Sequence, residues 1–139
     1  MWSKMVISVP EKLEIIGTSV EGRDIDAFTY GEGKNHIVFV GGIHGGYEWN
    51  SVLLAYKLMD YLDDNLDAVP KNIKVTVIPS ANPDGVYKVI KIEGRFTIND
   101  IPKGTDETLG RMNANNVDLN RNFDCYWNAT STWKNKVVS

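Results

Sequence analysis

The sequence is poor in the residues that form crosslinks and metal clusters. Its 139 residues include one cysteine and two histidines. A single cysteine forms no internal disulfide and provides no cluster for a structural zinc. We expect Cys125 to be an inert, buried thiol, since no histidine lies near it in the sequence. Any histidine-rich metal site must be built from His36 and His44 alone, or be incomplete.

Long apolar segments and an excess of positive charge are missing as well. No stretch approaches the roughly 18 to 20 apolar residues that cross a bilayer, so we expect no membrane span. The apolar run in segment 1–10 is too short for a secretory leader, and the compartment stays unknown. With 15 basic and 18 acidic residues, the net charge of −3 gives no footprint for binding nucleic acid. These counts do not determine the oligomeric state.

What is present is the composition of a globular protein. Hydrophobic residues make up 42% of the chain and charged residues 24%, close to the averages for soluble domains. We predict a single domain over residues 1–139, since this length is enough to bury a core.

The apolar pattern predicts an α/β fold with a mixed, largely parallel sheet and helices on its faces. Strand, helix and strand follow one another over 37–78, which favours a parallel pair with a right-handed crossover. The first of these strands is continuously apolar, which is typical of a central strand buried on both faces. The predicted strands are 13–17, 25–30, 37–40 and 73–78. The predicted helix runs from about 50 to 64, with an apolar stripe of Leu54, Leu58, Tyr61 and Leu62.

Candidate chemistry follows the parallel strands, because ligands bind at the carboxyl ends of such strands. His44 leaves the first strand through a glycine-rich loop, and Glu48 follows four residues later. An imidazole nitrogen and a carboxylate oxygen are suitable ligands for Zn²⁺. The alternative is a loop histidine beside a glutamate that interacts with the helix dipole.

Two arginines in the last third of the chain are candidates for binding an anionic group. Arg121 can bind a carboxylate through two parallel hydrogen bonds, and Asn120 can donate a further one. The alternative is a structural network in which Arg121 pairs with a nearby aspartate. Arg111, in the long polar loop 91–116, is a weaker candidate because a lone loop arginine is usually solvated. The aspartates available for such pairing are Asp84, Asp118 and Asp124. Segment 82–85 has a turn signature.

Three segments together carry a resemblance to a known family. The segments are 41–44 with Glu48, then Asn-Pro-Asp-Gly at 82–85, then Val-Asp-Leu-Asn-Arg-Asn-Phe at 117–123. Their order and separations resemble the zinc carboxypeptidase family, the carboxypeptidase A-like metallopeptidases. The resemblance covers about 13–126 and points to the N-terminal part of the catalytic domain.

The resemblance implies a function and a role for each site residue. His44 and Glu48 look like the first two ligands of one Zn²⁺ ion. Asn120 and Arg121 look like the pair that holds the terminal carboxylate of a peptide substrate, and Arg111 like the residue that stabilises the oxyanion. The implied reaction is hydrolysis of the C-terminal residue from a peptide, cell-wall peptides included, by a zinc-activated water.

Two departures from the family pattern affect this interpretation. One extra residue separates His44 from Glu48, and we expect the paired glycines between them to absorb it as a bulge. The family's third ligand, a histidine, and its general-base glutamate have no counterpart in this chain. His36 does not replace them, because an extended strand places it about 25 Å from His44. The domain is therefore predicted to be incomplete and the chain alone inactive.

Two other functions stay open at this point. One is an aspartoacylase-like zinc deacylase, whose His/Glu loop and Asp-Leu-Asn-Arg stretch are similar; segments 82–85 and 122–123 favour the peptidase. The other is a non-catalytic module that binds peptide C-termini through Asn120 and Arg121.

Overall fold

The structure is a computed structural model that describes residues 12–138. Within these residues, no helix is both long enough and apolar enough to span a membrane. The strands are β1 (Lys12–Thr18), β2 (Asp24–Tyr30), β3 (Asn35–Val40), β4 (Ile73–Ile78), β5 (Ser131–Trp133) and β6 (Lys136–Val138). The helices are α1 (Trp49–Asp64) and α2 (Pro83–Ile90).

The main sheet has four strands in the order β1-β2-β4-β3. The predicted strand–helix–strand unit is confirmed, since β3 and β4 are parallel and α1 connects them. The α/β class and the mixed sheet are also confirmed. The parallel share is smaller than predicted, because β1 with β2 and β2 with β4 are both antiparallel. Strand β4 lies between β2 and β3, antiparallel to β2 and parallel to β3, so both antiparallel pairings lie on one side of the single parallel one.

Strand β3 is more exposed than its apolar run predicts. Ile37 is 54% exposed and Val38 is 50% exposed, whereas burial on both faces was expected. The physical reason is the strand order, because β3 lies at the edge of the sheet formed by the described residues and pairs with β4 alone. The prediction of a doubly covered central strand is therefore wrong for this part of the chain.

Helix α1 covers one face of the sheet. Its buried face is formed by Val52, Ala55, Met59 and Leu62. The predicted stripe is partly wrong, since Leu62 is buried and Leu58 packs against the core, but Leu54 and Tyr61 are exposed. The smaller Ala55 packs in the core, whereas the sequence pattern predicted that Leu54 would do so.

Helix α2 begins inside the segment predicted as a turn. The side chain of Asn82 accepts a hydrogen bond from the backbone N–H of Gly85 at 3.0 Å, and Pro83 is the first helical residue. Asparagine at the N-cap and proline at the first position are a helix start as well as a turn signature. Val86, Val89 and Ile90 extend the core towards α1.

The carboxylate of Asp84 ties the β1–β2 turn to α2. It is buried, and it accepts from Ser19 Oγ at 2.7 Å, from the backbone N–H of Glu21 at 3.1 Å and from Arg23 Nη1 at 2.7 Å. Burial by itself raises the pKa of Asp84, but the hydrogen bonds from Ser19 and Arg23 outweigh it and lower the pKa below its usual range. Asp84 is thus charged and stabilising at neutral pH.

Three backbone segments approach each other so closely that only glycine fits. A Cβ on Gly110 would lie 2.6 Å from the carbonyl oxygen of Gly85 and 2.7 Å from Cα of Gly46. A Cβ on Gly46 would lie 2.5 Å from the same carbonyl oxygen. We call these three residues the glycine junction. It joins the loop after β3, helix α2 and the loop that leads to Arg111.

We predict that Asp84→Asn lowers the free energy of unfolding at pH 7 by about 2 kcal/mol, because it removes the buried carboxylate that accepts hydrogen bonds from Ser19, Glu21 and Arg23. Since the folded pKa of Asp84 is lowered, its contribution is complete above the unfolded pKa near about 4 and is lost as the pH falls further. Urea unfolding of the chain at pH 7 and pH 3 measures both effects.

Asp67→Asn is the matched control, since Asp67 is exposed. It should change the free energy of unfolding by less than about 0.5 kcal/mol. A difference between wild type and Asp84→Asn that stays constant down to pH 3 would contradict the assigned role.

We predict that Gly85→Ala destabilises the chain by about 2 to 3 kcal/mol, because the added methyl group collides with the carbonyl oxygen of Gly110. Gly17→Ala is the control, as the nearest atom to its Cβ would be Ile25 Cδ1 at 4.0 Å. Thermal unfolding measures both variants. Equal melting temperatures for the two would show that the glycine junction is not tightly packed.

Candidate functional site

His44 and Glu48 meet at the end of β3. A short 3₁₀ turn, Gly45–Glu48, follows His44 and carries the glutamate round to it. The distance from His44 Nδ1 to Glu48 Oε1 is 2.9 Å. Gly45 has a φ of +39°, a conformation that glycine adopts readily and that lets the chain turn sharply after His44.

Asp118 lies behind His44 and joins it to Arg111. The Asp118 side chain is 0% exposed, and its Oδ1 lies 2.9 Å from His44 Nε2. Its Oδ2 accepts from Arg111 Nε at 3.1 Å and from Arg111 Nη2 at 2.7 Å. Residues far apart in the sequence are thereby held around one carboxylate.

The hydrogen bonds indicate how the imidazole of His44 is oriented. Asp118 accepts, so Nε2–H donates to it and the lone pair of Nδ1 faces the other way. Arg111 Nη1 lies 3.3 Å from Nδ1, and Glu48 Oε1 lies 2.9 Å from it. Two acceptors at this distance repel each other unless a proton or a cation lies between them. The pair therefore has the donor chemistry of a divalent metal site, with one nitrogen and one oxygen ligand.

The ligand set is incomplete within residues 12–138. In this range no group of three or more His, Cys, Asp or Glu side chains is arranged to hold a metal ion. His36 lies in β3, as predicted, and its Nε2 contacts Thr76 Oγ1 at 2.8 Å. His44 and Glu48 thus fit zinc by type and orientation, but two ligands do not make a closed site.

Asp118 is charged in this arrangement. Burial raises its pKa, but the hydrogen bonds from His44 and Arg111 outweigh the burial and lower the pKa below its usual range. The carboxylate balances the Arg111 guanidinium, which is 4% exposed. Arg111 is therefore a buried, paired cation beside His44, not the solvated loop arginine that its position in the sequence favours.

Asn120 and Arg121 lie in the turn that Asp118 caps. They lie in a 3₁₀ turn, Leu119–Arg121, in which Asp118 Oδ1 accepts from the Asn120 N–H at 3.1 Å. Arg121 Nη1 donates to the Asn120 carbonyl oxygen at 3.0 Å.

Arg121 has no carboxylate partner among the described residues. The salt bridges in this part of the chain pair Asp84 with Arg23 and Asp118 with Arg111. The structural network considered from the sequence is therefore not formed, and the Arg121 guanidinium is available for an external anion.

Sequence reasoning did not assign a site role to Asp118, although it lies in the quoted Asp-Leu-Asn-Arg stretch. Its proximity to Arg121 in the sequence suggested an ion pair, whereas its partners are His44 and Arg111. Cys125 was also misjudged: it is exposed, since it lies in the surface segment that follows the Leu119–Arg121 turn.

An open cavity lies elsewhere on the molecule, between β2, α1 and the end of α2. Its volume is about 670 Å³, and Asp26, Tyr56 and Arg95 are among its lining residues. None of the candidate site residues borders it. The cavity and the converging side chains of the candidate site are therefore separate features of the molecule.

Comparison with known proteins finds relatives over most of the chain. A sequence profile described as "Zinc carboxypeptidase" matches residues 2–138. Carboxypeptidase Z of Rattus norvegicus is 33% identical over 121 residues, which cover 78% of this chain and 17% of that protein. The catalytic chain of carboxypeptidase N of Homo sapiens is 31% identical, and carboxypeptidase M of Mus musculus is 32% identical. These two matches cover 78% and 80% of this chain and 25% of each relative.

A solved structure has the same fold. The crystal structure of carboxypeptidase A from Helicoverpa armigera aligns with a TM-score of 0.58 and 26% identity, covering 87% of this chain and 31% of that one. The chain therefore spans about a third or less of the relatives and of the structure that it matches. Since the family profile extends over nearly all of its residues, the chain belongs to the zinc carboxypeptidase family.

Proposed function

We propose that this chain, residues 1–139, is the N-terminal part of the catalytic domain of a zinc-dependent metallocarboxypeptidase, which removes the C-terminal residue of a peptide. The observation that supports this most directly is the convergence of His44, Glu48 and Arg111 around Asp118. A candidate metal-ligand pair and a buried cation at one point are two of the parts that metal-assisted hydrolysis of an amide uses.

Each residue of the site has a distinct task in this proposal. His44 Nδ1 and Glu48 Oε1 would be two of the zinc ligands, and Asp118 would keep the imidazole in the tautomer that ligates. Zinc bound there would supply an activated water and polarise the scissile carbonyl. Arg111 offers positive charge beside the pair, where the carbonyl oxygen becomes negative.

The substrate would be selected by its terminal carboxylate. The unpaired guanidinium of Arg121 can bind that group through two parallel hydrogen bonds, and the Asn120 amide can donate another. Fixing the terminus also fixes which peptide bond reaches the metal-ligand pair. This is the reason for preferring an exopeptidase to an endopeptidase.

The chain by itself should be a poor enzyme. A third protein ligand and a general base are expected from the family, and among residues 12–138 no third side chain completes a metal site with His44 and Glu48. With two ligands, zinc affinity would be low, and the bound water would need the expected general base to accept its proton.

We predict that the 139-residue chain binds zinc weakly and through His44. In isothermal calorimetry, His44→Ala should abolish the binding heat because it removes the nitrogen ligand. His36→Ala is the matched control, since it removes the other histidine, which lies on β3, and should leave the titration unchanged. Tight stoichiometric binding by the wild-type chain, or loss of binding in His36→Ala, would contradict the proposed site.

We predict that Arg121→Ala, in the protein made from the complete reading frame, lowers kcat/KM for peptides roughly 30- to 150-fold. That factor is the loss of about 2 to 3 kcal/mol of charge-assisted hydrogen bonding to the terminal carboxylate. The measurement compares hydrolysis of a peptide with that of its C-terminally amidated form. Arg95→Ala, which removes an exposed arginine that pairs with Asp60, is the control.

The same assay separates the remaining functions. Equal effects of Arg121→Ala on the free and the amidated peptide would contradict carboxylate recognition by Arg121. Faster hydrolysis of N-acyl amino acids than of peptides would favour the deacylase, and peptide binding without hydrolysis would favour the non-catalytic module.

A further inference from the structure

The guanidinium of Arg111 is in contact with two aromatic rings as well as with Asp118. Its Cζ lies 4.5 Å from the centroid of the Trp133 ring and 5.7 Å from that of Tyr47. The two rings also touch each other edge to face, with centroids 5.5 Å apart and planes at 80°. Arg111 is thus held along one edge by a carboxylate and flanked by aromatic side chains.

Trp133 reaches this position through a short hairpin. Strands β5 and β6 are antiparallel, and Trp133 pairs with Lys136 across the two-residue turn. Lys134 and Asn135, the turn residues, have φ values of +48° and +60°, as in the type I′ turns that suit tight hairpins. Such a turn fixes the strand register, and the register fixes where the indole lies.

Tyr47 comes from a different part of the chain. It lies in the 3₁₀ turn between His44 and Glu48, so its backbone is part of the loop that carries both candidate ligands. The aromatic contact therefore connects three separate segments: the ligand loop, the loop that ends at Arg111, and the hairpin.

Asp118 alone does not determine the plane of the guanidinium. Both of its contacts from Arg111, by Nε and Nη2, go to the single oxygen Oδ2, so the group can still pivot about that atom. Attraction between a cation and an aromatic face is stronger when the cation is removed from water, and Arg111 is buried. The rings restrict the motion that the carboxylate leaves free.

We propose that Trp133 and Tyr47 form an aromatic clamp that holds the Arg111 guanidinium with Nη1 facing the His44–Glu48 pair. Both are positioning residues, since they act through Arg111. The catalytic consequence rests on the proposed function of Arg111, but the clamp itself is a property of this chain that can be measured without any enzymatic activity.

The first test is nuclear magnetic resonance of the ¹⁵N-labelled 139-residue chain. The Nε–Hε signal of Arg111, identified by its loss in Arg111→Lys, reports both ring-current shielding and exchange with water. Trp133→Leu should shift this signal downfield and speed its exchange, whereas Trp133→Phe, which keeps an aromatic face, should retain much of both. Tyr126→Leu is the matched control, because Tyr126 is 99% exposed and lies in the segment between Arg121 and the hairpin.

The outcomes are distinct. An Arg111 signal that is unchanged in Trp133→Leu overturns the clamp, and so does an equal change in Tyr126→Leu. Backbone signals of core residues such as Val77 show whether a variant is folded. If Trp133→Leu does not fold, the Arg111 signal is compared between Trp133→Phe and the wild-type chain.

The second test measures catalysis by the protein from the complete reading frame. Trp133→Leu should lower kcat about tenfold or more with little change in KM, because a misdirected Arg111 fails in the transition state and not in substrate binding. Trp133→Phe should restore most of the rate. An unchanged kcat in Trp133→Leu overturns the positioning role. If the wild-type protein hydrolyses no peptide, the proposed function fails, and the resonance measurement still decides whether the clamp exists.

Discussion

The site depends on one buried carboxylate. A charge removed from water is costly unless it is paired, and Asp118 is paired on both oxygens, with His44 on one and with Arg111 on the other. The same side chain caps the turn that carries Asn120 and Arg121. Orientation of the imidazole, neutralisation of the buried cation and placement of the carboxylate-binding pair are therefore consequences of a single group. No separate element is needed for each of these tasks.

The glycine junction explains how these groups come within reach of Asp118. Gly46 lies in the loop that carries His44 and Glu48, and Gly110 directly precedes Arg111. Gly85, in α2, approaches both of these glycines closely. Backbone packed against backbone leaves little freedom to shift, so the loop that delivers Arg111 is positioned as firmly as a strand would be. Irregular segments can hold a preorganised site when close backbone approach replaces the missing regular hydrogen bonding.

The sequence is a good guide where structure is local and a poor one where it is not. The unit of β3, α1 and β4 can be predicted, because apolar periodicity within each segment reflects the packing of that segment. Residues 82–85 show the limit of local reading, since an asparagine followed by proline starts both turns and helices, and only packing of Val86 and Val89 selects the helix. The exposure of Ile37 depends on the strand order, which no local pattern contains.

The candidate site likewise has one part that local sequence predicts and one part that it does not. His44 and Glu48 are close in sequence, so their convergence follows from the spacing and from the glycines between them. Asp118 is 74 residues from His44, and its role depends on the contact of two loops that share no pattern. From the sequence alone, Asp118 is expected to pair with Arg121, because the two residues are close in the sequence. In the structure Asp118 contacts Arg111 instead, and Arg121 has no carboxylate partner within residues 12–138.

Nδ1 of His44 is the atom for which a contact within the protein and a metal would compete. Nδ1 of His44 lies 3.3 Å from Arg111 Nη1 and 2.9 Å from Glu48 Oε1, and its lone pair is also the electron pair that a metal would use. Glu48 is the carboxylate in contact with Nδ1, and it would offset part of the charge of a cation placed beside Arg111. A doubly charged ion is therefore held poorly by these two ligands alone, and stronger binding requires further ligands that the described residues do not bring to this point. A metal held by Nδ1 would take up that lone pair, and Arg111 Nη1 would then be a donor beside the metal site. On the proposed function, the contact of Nη1 with His44 directs the Arg111 guanidinium to the place where a substrate oxygen would become negative.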